Sequence, residues 1–212
     1  MPVRAYHREL KGIADMAWAI DGTPADCGKL ALELLLPEKP DIVISGINPG
    51  PNLGTDVMYS GTVAAAAEGF CFGCPAIAVS CTGTRRGKGE ANFDYAADFI
   101  AKLCLKMAER DFKPKMLLNI NVPGSAPEDI KGVRYTYMGW RWYADPFGKR
   151  IDPHGKDYYW LQGTFDDRNC GIGSDVEACN QGFISITPLQ IDQTDYGMLE
   201  AIKADDLIRD IF

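Results

Sequence analysis

Long apolar runs are missing from this chain. No stretch of about 18 apolar residues occurs, so the sequence offers no candidate for a membrane-spanning helix. An excess of positive charge is missing too. The 22 basic residues stand against 29 acidic ones, a net charge of −7, which argues against a nucleic-acid polymer or an anionic membrane as partner. Histidine is nearly absent. With only His7 and His154, a histidine-rich metal centre is excluded and a Ser-His-Asp triad has few candidates. The opening residues, MPVRAYHREL, lack the apolar core of a secretory signal, and a cytoplasmic location is expected. The seven cysteines are odd in number and form no disulfide framework. Cys71 and Cys74 make a C-x-x-C, but neither a second pair nor a histidine pair completes a zinc site. Reduced, packed thiols are expected, with a redox or metal role for Cys71 and Cys74 as the alternative.

What remains is ordinary in proportion: 46% hydrophobic and 24% charged over 212 residues, enough for one globular domain with a sizeable core. A short strand is expected near Ala17–Ile20. Thr23 as N-cap, Pro24 in the first turn and Asp26 at the third position then predict a helix that stops before Pro37. Its apolar face is read as Cys27, Leu30, Ala31 and Leu34. Residues 41–45 (DIVIS) are β-branched and apolar without alternation, the pattern of a strand buried on both faces of a parallel sheet. A loop rich in Gly, Pro and Asn follows, then a helix over 62–69 stopped by Gly69, then a second buried strand over 75–80. A helix over 93–110 and a strand over 116–122 continue the alternation. This order predicts an α/β fold, a Rossmann-like, doubly wound and mostly parallel sheet. After residue 132 the character changes. Residues 133–162 read as an aromatic β-hairpin, 182–187 as a final strand and 198–211 as a terminal helix. The chain therefore divides into a core at 1–132 and a C-terminal part at 133–212.

In open α/β sheets ligands bind beyond the carboxyl ends of the strands. The loop from Gly46 to Thr62 lies there and carries Asn48, Asn52, Ser60, Gly61 and Thr62. Ser60-Gly61-Thr62 opens a helix, whose free N–H groups and positive dipole end favour a phosphate. The same pattern also serves as a plain N-cap and turn, and lone Asn residues often cap local backbone. The loop is neither a Walker A nor a G-x-G-x-x-G motif, since Gly46, Gly50 and Gly54 are spaced by four.

The continuous string DIVISGINPGPNLGTDVMYSGTVAAAAEGFCFGCPAIAVS closely resembles the signature of the SurE family of stationary-phase survival nucleotidases. GTPADC at 22–27, LNINVP at 118–123 and GSDVEACNQGFISITPL at 173–189 extend the resemblance in the same order. It implies a divalent-metal-dependent phosphomonoesterase acting on nucleoside 5′- and 3′-monophosphates, cytoplasmic and assembled as a homodimer or homotetramer. It further implies one Mg²⁺ or Mn²⁺ per subunit with Asn48 as a metal ligand. Asn52, Ser60, Gly61 and Thr62 would form the phosphate site. The family's other metal ligands, an adjacent Asp pair and a Ser on earlier strand-loop units, have no match here, and Thr55 stands where many relatives are acidic. Three expectations follow. The core lacks its N-terminal units, the catalytic carboxylates are unassigned, and the chain is a fragment, an inactive nucleotide-binding remnant, or one completed by another polypeptide. Asp175 and Asn180 are read as structural loop residues, and Arg85, Arg86 and Lys88 as a solvated loop. Trp140, Trp142, Tyr158 and Trp160 are read as an oligomer contact.

Overall fold

The computed structural model describes residues 2–83, 92–110, 115–168 and 170–205. Arg85, Arg86 and Lys88, and the end of the expected terminal helix, lie outside the described residues. The chain opens with an antiparallel pair, β1 (Arg4–Arg8) and β2 (Ala17–Asp21), separate from the main sheet. Helix α1 (Pro24–Leu30) starts with a complete capping box. Thr23 Oγ1 accepts from Asp26 N–H at 3.2 Å, and Asp26 Oδ2 accepts from Thr23 N–H at 2.8 Å. A π-helical turn, Ala31–Leu35, continues α1. That turn adds a residue per repeat and rotates the apolar stripe, so Leu32 is buried and Leu34, expected on the inner face, is exposed.

Then come β3 (Val43–Pro49), a 3₁₀ turn at Gly54–Tyr59, α2 (Gly61–Cys71) and β4 (Ala76–Thr82). Gly69, expected to stop α2, lies inside it instead. A Cβ there would fall 2.6 Å from the Cβ of Val43, so the glycine lets helix and strand touch. The stop comes at Gly73, which has φ +86°. Helix α3 (Phe93–Glu109) and β5 (Leu117–Pro123) follow as expected. The stripe of α3 that meets the core includes Tyr95, Ala96, Phe99, Ile100, Leu103 and Cys104.

The C-terminal part departs from the simple hairpin. The segment read as one strand from Val133 splits into β6 (Val133–Tyr135) and β7 (Trp142–Ala144). It breaks at Gly139, where a Cβ would stand 2.6 Å from the Cys170 carbonyl oxygen. The true hairpin is β8 (Phe147–Ile151) with β9 (Asp157–Leu161), while β10 (Thr164–Asp166) pairs with β7. A short α4 (Asp175–Asn180), β11 (Ile184–Leu189) and α5 (Tyr196–Asp205) complete the chain. Strand β11 begins two residues later than expected and runs through Pro188.

The main sheet has the order β3-β4-β5-β11-β6. Pairs β3–β4, β4–β5 and β11–β6 are parallel, and β5–β11 is antiparallel. Helices cover both faces, as doubly wound sheets require. Along β4 the pleat sends Ala76 and Ala78 toward α2, and Ile77 and Val79 toward α3. Small residues thus admit α2 closely, and large ones fill the space under α3. Strand β3 has no strand neighbour on its outer side among the described residues. Beyond it runs an apolar groove of ≈ 660 Å³, bounded by β2, α1 and β3 and lined in part by Trp18, Ile20, Leu32 and Ile44.

The sheet's two environments should separate in stability measurements. Ile77, with no exposed surface, should lose about 2–5 kcal/mol on truncation to Ala in urea unfolding. Ile44→Ala, on the edge strand and 47% exposed, should lose no more than about 1 kcal/mol. Equal losses would mean that Ile44 is enclosed as fully as Ile77.

Candidate functional site

The expected loop over Gly46–Thr62 is shorter in the structure, because β3 runs on to Pro49 and α2 begins at Gly61, which leaves Gly50–Ser60 between them. Before it β3 carries a bulge, where the register with β4 shifts between Ser45 and Asn48. Asn48 stays in the ladder opposite Ser80. Its Nδ2 donates to the Gly50 carbonyl at 2.9 Å, which orients the amide and leaves Oδ1 for another partner. Gly50 N–H in turn donates to the Cys81 carbonyl at 3.0 Å.

Asn52 is buried, and its backbone N–H, its carbonyl and its side-chain Nδ2 are all bonded. Its backbone N–H donates to Asn121 Oδ1 at 2.9 Å. Its carbonyl accepts from Asn119 Nδ2 at 2.8 Å and Asn121 Nδ2 at 3.0 Å. Its own Nδ2 donates to Ser80 Oγ at 2.7 Å. The amide donor expected to face a phosphate is thus engaged with the sheet. The pleat explains the arrangement. Asn119 and Asn121 alternate with Ile120 and Val122, so one face of β5 is apolar toward α3 and the other is polar toward the loop.

Two residues later Gly54 N–H donates to Asp175 Oδ2 at 2.8 Å. Asp175 Oδ1 accepts from Gly139 N–H and from Val176 N–H, both at 2.8 Å. This carboxyl has no exposed surface. Burial pushes its pKa up, against the lowering by the three N–H donors and by the Arg141 charge. Asp175 is therefore structural, as expected, although it and Asn180 lie in helix α4 and not in a loop, and it ties the loop to the Gly139 segment. Asn180 donates its Nδ2 to Asp167 Oδ2 at 3.2 Å.

At the far end of the loop Ser60 caps α2. Its Oγ accepts from Val63 N–H at 3.1 Å, and its carbonyl accepts from Ala64 N–H at 3.0 Å. The N–H groups of Gly61 and Thr62, in the first turn, have no intrahelical carbonyl to bond. Gly61 also lets the two helix starts meet, since a Cβ would stand 3.1 Å from Pro24 Cγ. Asn48, Ser60, Gly61 and Thr62 are all partly open to solvent.

A cluster around Arg141 escaped the reading of the sequence. Arg141 is buried between two carboxylates, with Nη1 3.4 Å from Asp56 Oδ2 and Nε 3.2 Å from Asp167 Oδ1. Its guanidinium lies 3.7 Å from the Phe165 ring centroid. Tyr143 OH donates to Asp56 Oδ2 at 2.8 Å, and Thr55 Oγ1 donates to the Arg141 carbonyl at 2.9 Å. Their only trace in the sequence is a cation set among aromatics at 140–143, a pattern that a solvated hairpin shares. The cysteines are all free thiols, and burial pushes Cys179 up to about 12.

Comparison with known proteins places this geometry. The family model described as Survival protein SurE matches residues 1–145. The 5′-nucleotidase SurE of Heliobacterium modesticaldum is 50% identical over 186 residues, covering 88% of this chain and 67% of that protein. The 5′-nucleotidase SurE of Moorella thermoacetica is 45% identical over 203 residues, covering 96% and 76%. The crystal structure of SurE protein from Aquifex aeolicus superimposes with a TM-score of 0.78 at 36% identity, covering 96% of this chain and 80% of that one.

If Asp175 holds the loop, Asp175→Ala should destabilise the chain by about 3 kcal/mol or more, at about 1–3 kcal/mol for each buried donor left unpaired. Hydrogen exchange at the Gly54 and Gly139 amides should quicken with it. Asn180→Ala, at the more exposed bond to Asp167, should change stability by about 0.5 kcal/mol or less. Similar losses in the two variants would remove Asp175 from this role.

Proposed function

The chain belongs to the SurE family of survival proteins, and from that premise we propose that it hydrolyses nucleoside 5′- and 3′-monophosphates to nucleoside and phosphate. The observation that carries this reading is the Gly46–Thr62 segment, which holds Asn48 in the last rungs of the β3 ladder and brings the start of α2 to the carboxyl end of the parallel strands. Phosphate ester hydrolysis needs the phosphoryl oxygens neutralised and a water held in line. The N–H groups of Gly61 and Thr62, with the hydroxyls of Ser60 and Thr62, suit three phosphate oxygens. Asn52 serves by anchoring the loop to Ser80, Asn119 and Asn121.

A divalent ion, Mg²⁺ or Mn²⁺, belongs to this reading, and it would add positive charge at the ester and activate the water. Asn48 Oδ1 fits one of its ligands. One neutral oxygen does not hold such an ion, which takes several oxygen ligands including carboxylates. Among the described residues no three His, Cys, Asp or Glu side chains are gathered to complete the set. No step is therefore routed through the metal. A second reading rests on the open N–H groups at the start of α2, a chain that binds a nucleotide phosphate without turning it over.

The working form in this reading is a cytoplasmic homodimer or homotetramer that binds nucleotides and neither a nucleic-acid polymer nor a membrane. The hairpin β8–β9 exposes Tyr159, Trp160 and Leu161, and α5 exposes Met198, Leu199 and Ile202. Such surface is commonly covered by another copy. Among the described residues no helix is long and apolar enough to cross a membrane.

Phosphate release from a panel of nucleoside 5′- and 3′-monophosphates, with Mg²⁺, with Mn²⁺ and with a chelator, tests the reading. Release should require the metal, and Asn48→Ala should raise the metal concentration for half-maximal rate about tenfold or more. Rates indifferent to the metal would sink the metal-dependent reading. Nucleotide binding without any release would select the second one.

A further inference from the structure

A pocket of ≈ 640 Å³ opens between the segments Pro51–Tyr59 and Trp140–Tyr143. Sites for small molecules have volumes of roughly 300–1,000 Å³. Trp140 and Trp142 line it, with parallel rings, centroids 5.9 Å apart and planes 8° from each other. They are 60% and 61% exposed, so more than half of each side chain is open. Tyr59 and Tyr143 add two more rings, and Thr55 and Asp56 bring polar atoms to the same lining.

The two walls are joined to each other. Thr55 Oγ1 bonds the Arg141 carbonyl, the Arg141 guanidinium meets Asp56, and Tyr143 OH bonds Asp56. Below them Asp175 links Gly54 to Gly139. Walls tied in this way form a concave site before any ligand arrives, which suits a small planar molecule better than the flat surface of a second copy. The pocket reaches Asn52, and its Tyr59 directly precedes Ser60 at the phosphate end of the loop.

We propose that this pocket receives the base of the nucleotide, stacked on the Trp140–Trp142 pair, with the Asp56 carboxylate accepting from the base's N–H groups. The proposal deepens the nucleotidase reading and rests on it. Base–aromatic stacking accepts every base, so the pair sets affinity for nucleosides as a class, with purines favoured by their larger overlap. Trp140 and Trp142 thereby become determinants of substrate choice, although they stand far in sequence from the phosphate loop.

Two measurements on the full chain test this. In the first, KM is compared for AMP and for ribose 5-phosphate, which has the phosphate and sugar without a base. Trp140→Ala and Trp142→Ala should each raise KM for AMP about tenfold more than KM for ribose 5-phosphate, and Trp142→Phe should restore most of the loss. In the second, adenosine alone should quench tryptophan emission, and a Trp140→Leu/Trp142→Leu double variant should lose that quench. Equal changes in KM for both substrates would overturn the base site. So would a quench that survives in the double variant, or a change in oligomeric state on light scattering that accounts for the KM effect. If the wild-type chain releases no phosphate from any nucleotide, the activity reading fails. The adenosine quench still decides the base site in that case.

Discussion

One buried carboxyl holds the loop after β3 and the aromatic segment after β6 together. Asp175 accepts from Gly54 and Gly139, glycines on two segments that no strand pairing joins directly. Both are glycines for a spatial reason. A Cβ at Gly54 would stand 2.4 Å from the Gly139 carbonyl oxygen, so the two backbones touch where the carboxyl binds them. Burying a carboxyl is unfavourable without compensation, and three backbone N–H groups together with Arg141 offset part of that cost. The loop after β3 and the aromatic segment after β6 thereby become one unit.

The second support is the polar side of the sheet. Ser80 on β4, Asn119 and Asn121 on β5, and Ser185 and Thr187 on β11 are all buried on the same side. Thr136 bonds both Ser185 and Thr187 at 2.8 Å. The other side of these strands is apolar and packs against α3. Such a sheet has a fixed orientation. A one-residue slip would put asparagines into the apolar core and isoleucines under the loop. The polar layer also explains why an irregular loop lies inside the protein. Its backbone groups find side-chain partners there in place of water.

The periphery is of a different kind. Strand β3 stands at an open edge beside an apolar groove, and α5 buries none of its described residues. The hairpin β8–β9 is exposed along most of its length. These elements share little with the core, and many of their apolar side chains are exposed. The Trp140–Trp142 pair differs from them because it faces a pocket whose walls are bonded together.

Local signals were legible in the residues. The capping box at Thr23, the apolar strands and the period of α3 depend on neighbours within a few positions, and each produced a helix or strand where expected. Strand β3, expected to be buried on both faces, nevertheless stands at the sheet edge with no residue fully buried. Where a distant contact intervened, the local rule failed. Gly69 reads as a helix stop but is the contact with Val43, and the strand expected from Val133 breaks at Gly139 under Cys170. The site divides in the same way. Ser60 at a helix start and the long loop motif are contiguous, so spacing and resemblance find them. Arg141, Asp56 and Asp167 are not, because their roles exist only once β7 pairs with β10 and the Gly54–Tyr59 turn meets Arg141. The sequence by itself determined the α/β class, the family and the position of its signature loop, because those follow from short-range pattern. Only the tertiary structure decided that Asn52 is anchored to the sheet, that Asp175 is the joint and that Trp140 and Trp142 line one pocket. Those are consequences of long-range hydrogen bonds and burial, which no local pattern encodes.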